Sequence, residues 1–223
     1  MCGRFAQGKP EDIIQFLTSF VREASKLDFV PRWNIAPSSH IITLANTDGS
    51  NELMTSEWGL MPGWMKNKPG SKQLINARSE TVFEKPAFKN SIKRRRCVVP
   101  ITGFYEWQRA GSRKQPWYFY PEQEHGVLPL AGLWQASEDG VTQFALLTRE
   151  ADKVMAPIHH RMPVILNQDE INGYLEPAAT EDEIRAMIEA ERSGQFAKYE
   201  VETIVNNARY DGPDCIEPVS RLI

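Results

Sequence analysis

The first regular pattern along the chain is helical. Ile13, Leu17, Phe20, Val21 and Ala24 recur at three- and four-residue steps and predict one core-facing stripe through about Lys26. Pro10-Glu11-Asp12 marks its start, with proline in the first turn and acids at the positive end of the dipole. Asn34-Ile35-Ala36-Pro37 breaks that pattern, after which residues 40–46 and 52–58 read as two strands joined by a turn at Asp48-Gly49. Cys97-Val98-Val99-Pro100-Ile101 leads into a strand at Gly103-Phe104-Tyr105-Glu106-Trp107, and further strands are predicted at 116–121, 128–135 and 142–149. Ala110-Gly111 and Asp139-Gly140 supply the hairpin turns. Helices are predicted near Glu84 to Ile92, from about Asp152 (giving way to a strand at 164–166) and over 181–193, where Ile184, Met187 and Ile188 form a narrow apolar face among charges. Tyr199 to Val205 reads as the last strand. No repeat or low-complexity linker divides residues 1–223, which are read as a single domain.

Composition narrows the class. A chain of 223 residues, 41% hydrophobic, can bury a proper core. The first twenty residues lack the basic-then-apolar order of a signal peptide, and no apolar run approaches the ~18 residues of a membrane span. A cytoplasmic protein without membrane attachment is expected, nucleoid-associated if the source is bacterial. Cys2, Cys97 and Cys215 are odd in number and far apart, which suggests neither a disulfide framework nor a CxxC site, and Cys97 and Cys215 read as buried spectators. His40, His125, His159 and His160 show no HxxxH or HExxH spacing, so no metal and no cofactor are expected. The net charge of −3 conceals a division. Positions 61–100 hold ten basic residues against Glu80 and Glu84, a surplus of eight positive charges, and the remainder therefore carries −11. A basic field on an acidic body suits either a phosphate-lined groove or a solvated face.

Five stretches carry candidate chemistry. Removal of Met1, which a small second residue permits, would leave Cys2 with a free α-amine and a thiol two carbons apart. Such a 1,2-aminothiol condenses with an aldehyde to an imine, and the thiol then closes a five-membered thiazolidine. Ordinary pKa values of about 8.5 for the thiol and roughly 7.7–8.0 for the amine leave both partly deprotonated near neutrality. In Trp58-Gly59-Leu60-Met61-Pro62-Gly63-Trp64-Met65, apolar bulk precedes the basic segment; Trp58 fits a core position, and Trp64 could equally stack on unpaired bases. Asn76 and Arg78 offer an amide and a forked guanidinium for a sugar hydroxyl and a phosphate. Glu106 sits among three aromatics, where desolvation would raise its pKa and suit a general acid, and one imidazole of His159-His160 could move protons near neutral pH.

Together, Cys2-Gly3-Arg4-Phe5, Asn34-Ile35-Ala36-Pro37, Trp58-Gly59-Leu60-Met61-Pro62, Asn76-Ala77-Arg78, Gly103-Phe104-Tyr105-Glu106-Trp107, His159-His160-Arg161-Met162-Pro163 and Val205-Asn206-Asn207 resemble the SOS response-associated peptidase (SRAP) family. Each motif is weak singly, but their order and spacing are specific and span nearly the whole chain. The resemblance implies an α+β fold with a mostly antiparallel, barrel-like β core, peripheral helices and a basic DNA channel. It implies a monomeric enzyme that traps abasic sites in single-stranded DNA through the N-terminal cysteine, with thiol-peptidase-type and lyase activities attached to the same site. Carried over by position, Cys2 is the nucleophile and Asn76, Glu106 and His159 complete the catalytic set, while Arg4 and Arg78 contact phosphates and Trp64 lies beside the bases. Two positions depart from the pattern: His160 stands where many relatives have an acid, and Met65 where some have a second Trp. Neighbouring residues of an extended segment face opposite sides, so His159 is expected to act and His160 to point elsewhere or orient a neighbour. Two rival readings from other classes are a cysteine peptidase or N-terminal-nucleophile amidase, and a non-catalytic reader of damaged or modified DNA.

Overall fold

The computed structural model describes residues 2–66, 68–111, 113–123, 126–137, 139–191 and 196–220. Strand β1 (Phe5–Gln7) leads into helix α1 (Pro10–Thr18), which buries Ile13, Phe16 and Leu17. The stripe does not stay in one helix to Lys26. The last turn of α1 has no basic residue facing the negative end of the dipole, the β-branched Val21 is extended, and Arg22–Lys26 resumes as a 3-10 turn. After β2 (Arg32–Ile35), β3 (His40–Asn46) and β4 (Asn51–Trp58) form the expected hairpin. Gly49 takes a φ of 86° in its turn and its amide donates to Asn46 Oδ1 at 2.9 Å.

The short helix α2 (Gly63–Lys66) and strand β5 (Asn76–Arg78) precede α3 (Lys89–Arg94). The helix expected from Glu84 starts five residues late because Pro86 lacks an amide donor and biases Lys85 away from helical geometry. Strands β6 (Arg96–Ile101), β7 (Gly103–Ala110), β8 (Arg113–Pro121), β9 (Leu128–Ala136) and β10 (Thr142–Glu150) follow the predicted alternation. From Asp152 the chain turns without forming a helix: the Asp152 carboxylate takes the amides of Val154 and Met155, and Pro157 follows. Strand β11 (Arg161–Pro163) lies three residues before the predicted 164–166, where Ile165 keeps a single bridge to Leu130. Helices α4 (Ile171–Leu175) and α5 (Glu181–Glu189) come next, α5 starting on a Thr180–Glu183 capping box and ending before the predicted 193; residues 192 and 193 lie outside the described residues. Strand β12 (Phe196–Glu200) is earlier than the expected 199–205, and Thr203–Asn206 is a 3-10 turn.

Two sheets result, one ordered β12-β8-β7-β1-β2 and the other β11-β10-β4-β3-β6-β9. In the second, β10 pairs with β9 on one edge (Gln143↔Gln135) and with β4 on the other (Gln143↔Glu57), closing a ring through β3 and β6. The fold is α+β, mostly antiparallel and barrel-like at its core, as the resemblance implied. Alternation along the ring gives it two apolar faces. Val98, Ala145 and Leu147 meet Ile13, Leu17, Ile92, Tyr174 and Ile184 of the helices, while Cys97, Val99, Phe144 and Leu146 meet Phe5, Phe104, Phe119 and Phe196 of the five-stranded sheet. Cys97 and Cys215 are both fully buried. The far face of the five-stranded sheet, with Tyr105 and Tyr118, is covered by the C-terminal segment through Val201, Val205 and Cys215.

The basic segment is not one groove. Arg96 is buried and spends its guanidinium on the backbone carbonyls of Ile92, Tyr174 and Glu176, tying β6 to α3 and α4. Lys93 faces Glu181 at 3.8 Å, and α3 packs through Ile92 against the helix-side core. Arg96 is therefore withdrawn from any groove, and Lys93 lies against the start of α5.

A buried amide fastens the C-terminal segment. Asn34 Nδ2 donates to the carbonyls of Val205 (3.2 Å), Asn207 (3.1 Å) and Tyr210 (2.7 Å), while its Oδ1 accepts from Arg4 at 2.6 Å. The Asp211 carboxylate takes the backbone amides of Trp33 and Asn34 and the guanidinium of Arg32. Asn34→Ala removes the donor to the Tyr210 carbonyl and the acceptor of the Arg4 guanidinium, and should cost about 1–3 kcal/mol. Urea unfolding should show a lower midpoint with an unchanged slope.

Candidate active site

Residue 2 is held by pairing on both sides of β1. Phe5 lies opposite Ile35 of β2 and Phe104 of β7, the Tyr105 amide donates to the Arg4 carbonyl, and the Thr102 amide donates to the Ala6 carbonyl, each at 2.9 Å. Gly103 is required at this crossing: a Cβ there would lie 2.3 Å from the Tyr118 ring. Cys2 is thereby fully buried in the core between the sheets. Its carbonyl accepts from Asn76 Nδ2 at 2.9 Å, and Asn76 Oδ1 is buried with no hydrogen-bond partner among the described residues. Burial pushes the Cys2 thiol pKa far up, and the nearby Glu106 carboxylate adds to the effect.

Glu106 is 4% exposed, and its pKa is raised by desolvation. It shares a cavity of about 520 Å³ with Trp107, Arg109, Lys114, His159 and Asn206. The His159 pKa is lowered, first by burial. Its Nδ1 lies 3.0 Å from the Arg161 backbone nitrogen, whose N–H it accepts in the Nε2–H tautomer, and 3.2 Å from the Arg161 carbonyl oxygen, to which it donates when Nδ1 carries the proton. The expectation that His159 and His160 face opposite ways fails. The chain bends at His160, the pleat begins only at Arg161, and the two rings stack with centroids 4.4 Å apart and 26° between planes. His160 is the exposed member of the pair.

Arg161 also fixes the ring from behind. Its guanidinium grips Glu80 through two parallel bonds of 2.6 and 2.9 Å and reaches the Thr148 carbonyl at 2.7 Å. The bonded Arg161 holds the Glu80 carboxyl below its ordinary range. Cys2, Asn76, Glu106 and His159 thus converge, joined by one hydrogen bond, by electrostatic proximity and by a shared cavity.

The other candidates are placed differently. Arg4 is half-buried, bonded to Asn34 Oδ1 and the Val205 carbonyl, with its guanidinium 5.8 Å from the Trp107 ring centre. Arg78 is exposed at the end of β5, opposite Thr148. Trp58 is core and donates its indole N–H to the Ile75 carbonyl, whereas Trp64 is 56% exposed on α2 with Lys68 Nζ 5.0 Å from its ring centre. Trp64 does not line the Glu106 cavity. Met1 and His125 lie outside the described residues, and among the described residues no three His, Cys, Asp or Glu side chains cluster as metal ligands. No helix is long and apolar enough to cross a membrane.

A family model described as SOS response associated peptidase (SRAP) matches residues 1–208. The chain belongs to the SRAP family. The abasic site processing protein YoqW of Bacillus subtilis is 32% identical over 225 residues, covering 97% of this chain and 99% of that protein. The abasic site processing protein YedK of Escherichia coli is 30% identical over 226 residues, covering 98% and 100%. A crystal structure of a phage-related protein from Bordetella bronchiseptica superposes with a TM-score of 0.74 at 30% identity, covering 90% and 94%.

Residue reading of this SRAP chain missed several lining groups. Trp107 donates its indole N–H to Asn206 Oδ1 at 2.6 Å, and the pair forms one wall of the cavity. Arg109 and Lys114 enter from the β7–β8 hairpin, and nothing in their local sequence marks them. The signal for Glu80 was present: it is one of two acids in a basic run, and such an acid calls for a partner such as Arg161. Burial of Glu106 has a testable cost. With its folded pKa above its unfolded value, stability is lost as pH rises through that window. Glu106→Gln should raise the melting temperature at pH 8, and the gain should shrink on acidification because both side chains are then neutral. Thermal scans across pH check the sign; a gain that grows in acid would contradict it.

Proposed function

We propose that this SRAP protein processes abasic sites in single-stranded DNA by capturing the ring-opened sugar aldehyde on Cys2. The observation that carries the reading is the convergence of Cys2, Asn76, Glu106 and His159 at a buried chain start. Relatives matching nearly the whole chain are abasic site processing proteins, which supports the substrate.

The chemistry requires removal of Met1. The freed amine adds to the aldehyde carbon, and loss of one water gives an imine. The thiol then adds across the C=N bond: sulfur bonds to carbon, and the thiol proton ends on nitrogen, giving the thiazolidine. Glu106, kept protonated by burial, donates to the departing hydroxyl and, once ionised, accepts the thiol proton. His159 moves the proton at the sugar ring oxygen during opening. Asn76 Oδ1 is an acceptor for the amine, whose position the Nδ2 bond to the Cys2 carbonyl fixes. Closure by sulfur removes the imine that would otherwise drive β-elimination and strand cleavage. A raised thiol pKa sets Cys2 apart from cysteine nucleophiles whose thiolate forms at rest.

Intact mass after mixing with abasic single-stranded DNA tests the scheme. The expected adduct lacks Met1 and equals protein plus DNA minus one water. Borohydride should leave it unchanged, since an open imine would gain two hydrogens. Cys2→Ala should give no stable adduct while still binding DNA reversibly, and Cys2→Ser should be captured only with reductant. An adduct that retains Met1 would sink the aminothiol mechanism.

The histidines should differ. His159→Ala removes a positioned proton carrier and should slow crosslinking by ~10² to 10⁴. His160→Ala removes only the stacked ring, worth about tenfold at most. Time courses for both variants decide, and a defect confined to His160→Ala would reverse the assignment.

A further inference from the structure

Arg109 and Lys114 stand directly opposite each other across the β7–β8 hairpin. Like charges in that relation repel, and among the described residues neither has an ion-pair partner. Both are exposed, and both line the cavity that holds Glu106 and His159. Arg109 and Trp107 also line a second cavity, of about 460 Å³, together with His159 and His160. Arg78 is placed by the sheet: it pairs with Thr148 of β10, whose other edge takes Pro163 of β11, the strand that directly follows His160. Positive charge therefore flanks the histidine pair on two sides, Arg78 beside His160 and the hairpin pair beside Glu106. A repulsive pair with no ion-pair partner among the described residues, exposed at a cavity whose one lining acid is the buried Glu106, suits an anion.

We infer that Arg109 and Lys114 form a phosphate-binding rim that holds the single strand on the side of the abasic sugar opposite Arg78. The inference rests on the DNA reading above and names the second anchor of the strand. With phosphates gripped on both sides, the sugar between them is fixed over Glu106 and His159. The rim reads backbone charge, not base identity, so it acts on undamaged strand as well.

The test uses undamaged single-stranded oligonucleotide and the full chain, with affinity followed by anisotropy across salt. Each phosphate contact to a single strand contributes about 0.7 to the slope of log K against log salt. R109Q/K114Q should therefore flatten the wild-type slope by about 1.4, and R109K/K114R should keep it. An unchanged slope in R109Q/K114Q overturns the rim, as does an equal loss in R109K/K114R, which would mean hairpin geometry and not charge. Neutral methylphosphonate linkages placed on either side of a tetrahydrofuran abasic analogue give the direction. On one side they should weaken wild-type binding but not R109Q/K114Q, and on the other they should weaken both; identical losses on both sides would overturn the placement. Failure of wild-type protein to form any adduct with abasic DNA would sink covalent capture alone, because the slope is measured on DNA with no aldehyde.

Discussion

Everything at the site depends on holding the start of the chain inside the protein. Chain termini ordinarily fray, since few contacts repay the entropy of fixing them. Here β1 is only three residues long, but it lies within its sheet, paired to β2 on one side and β7 on the other. Cys2 is three residues ahead of Phe5, so its reach from that strand is about 10 Å even fully extended. The Asn76 bond to the Cys2 carbonyl then fixes the last degree of freedom that matters. In the capture reading proposed above, a nucleophile on a flexible tail would spend most of its time elsewhere, whereas Cys2 is positioned before substrate arrives.

One cause shapes the protonation of the site. Burial raises the Cys2 thiol and the Glu106 carboxyl and lowers the His159 imidazole, in each case favouring the neutral form. A neutral acid, a neutral base and a thiol that keeps its proton suit a sequence of additions and dehydrations in which protons pass back and forth. They do not suit a resting thiolate. The same burial works against the fold at Glu106, which is the usual exchange of stability for a poised group.

The sequence made the strands legible wherever alternation and a turn signal coincided, as in β3–β4 and β7 through β10. Short helices were harder, because six residues of α3 give barely two turns of periodicity and Pro86 moved its start. Asn34 and Val205-Asn206-Asn207 stood out only as motif fragments; the structure supplies the reason, since the Asn34 amide bonds the 205–210 backbone across some 170 positions. No local pattern encodes such a contact. Charge counting overreached for a similar reason. Arg96 looks like its neighbours Arg94 and Arg95 in sequence, yet it points inward to three carbonyls, and only the position of α4 decides that. At His159 and His160 the error lay in assuming a pleat one residue too early.

Strand β10 explains how Asn76 and His159, so distant in sequence, meet at the start of the chain. Its two edges take β5 and β11, with Leu146 opposite Asn76 and Thr148 opposite both Arg78 and Pro163. A slip of one residue on either edge would turn the site away from the cavity. The Arg161–Glu80 pair locks both edges at once, because Glu80 follows β5, Arg161 begins β11, and the same guanidinium bonds the Thr148 carbonyl of β10. Since the folded pKa of Glu80 is depressed, the stability it contributes is present above the ordinary carboxylate range and lost only as pH falls through its lowered value. The lock therefore stays closed down to the ordinary carboxylate range. In the capture reading proposed above, activity lost before that range is reached would report titration of the reacting groups and not loss of the frame that carries them.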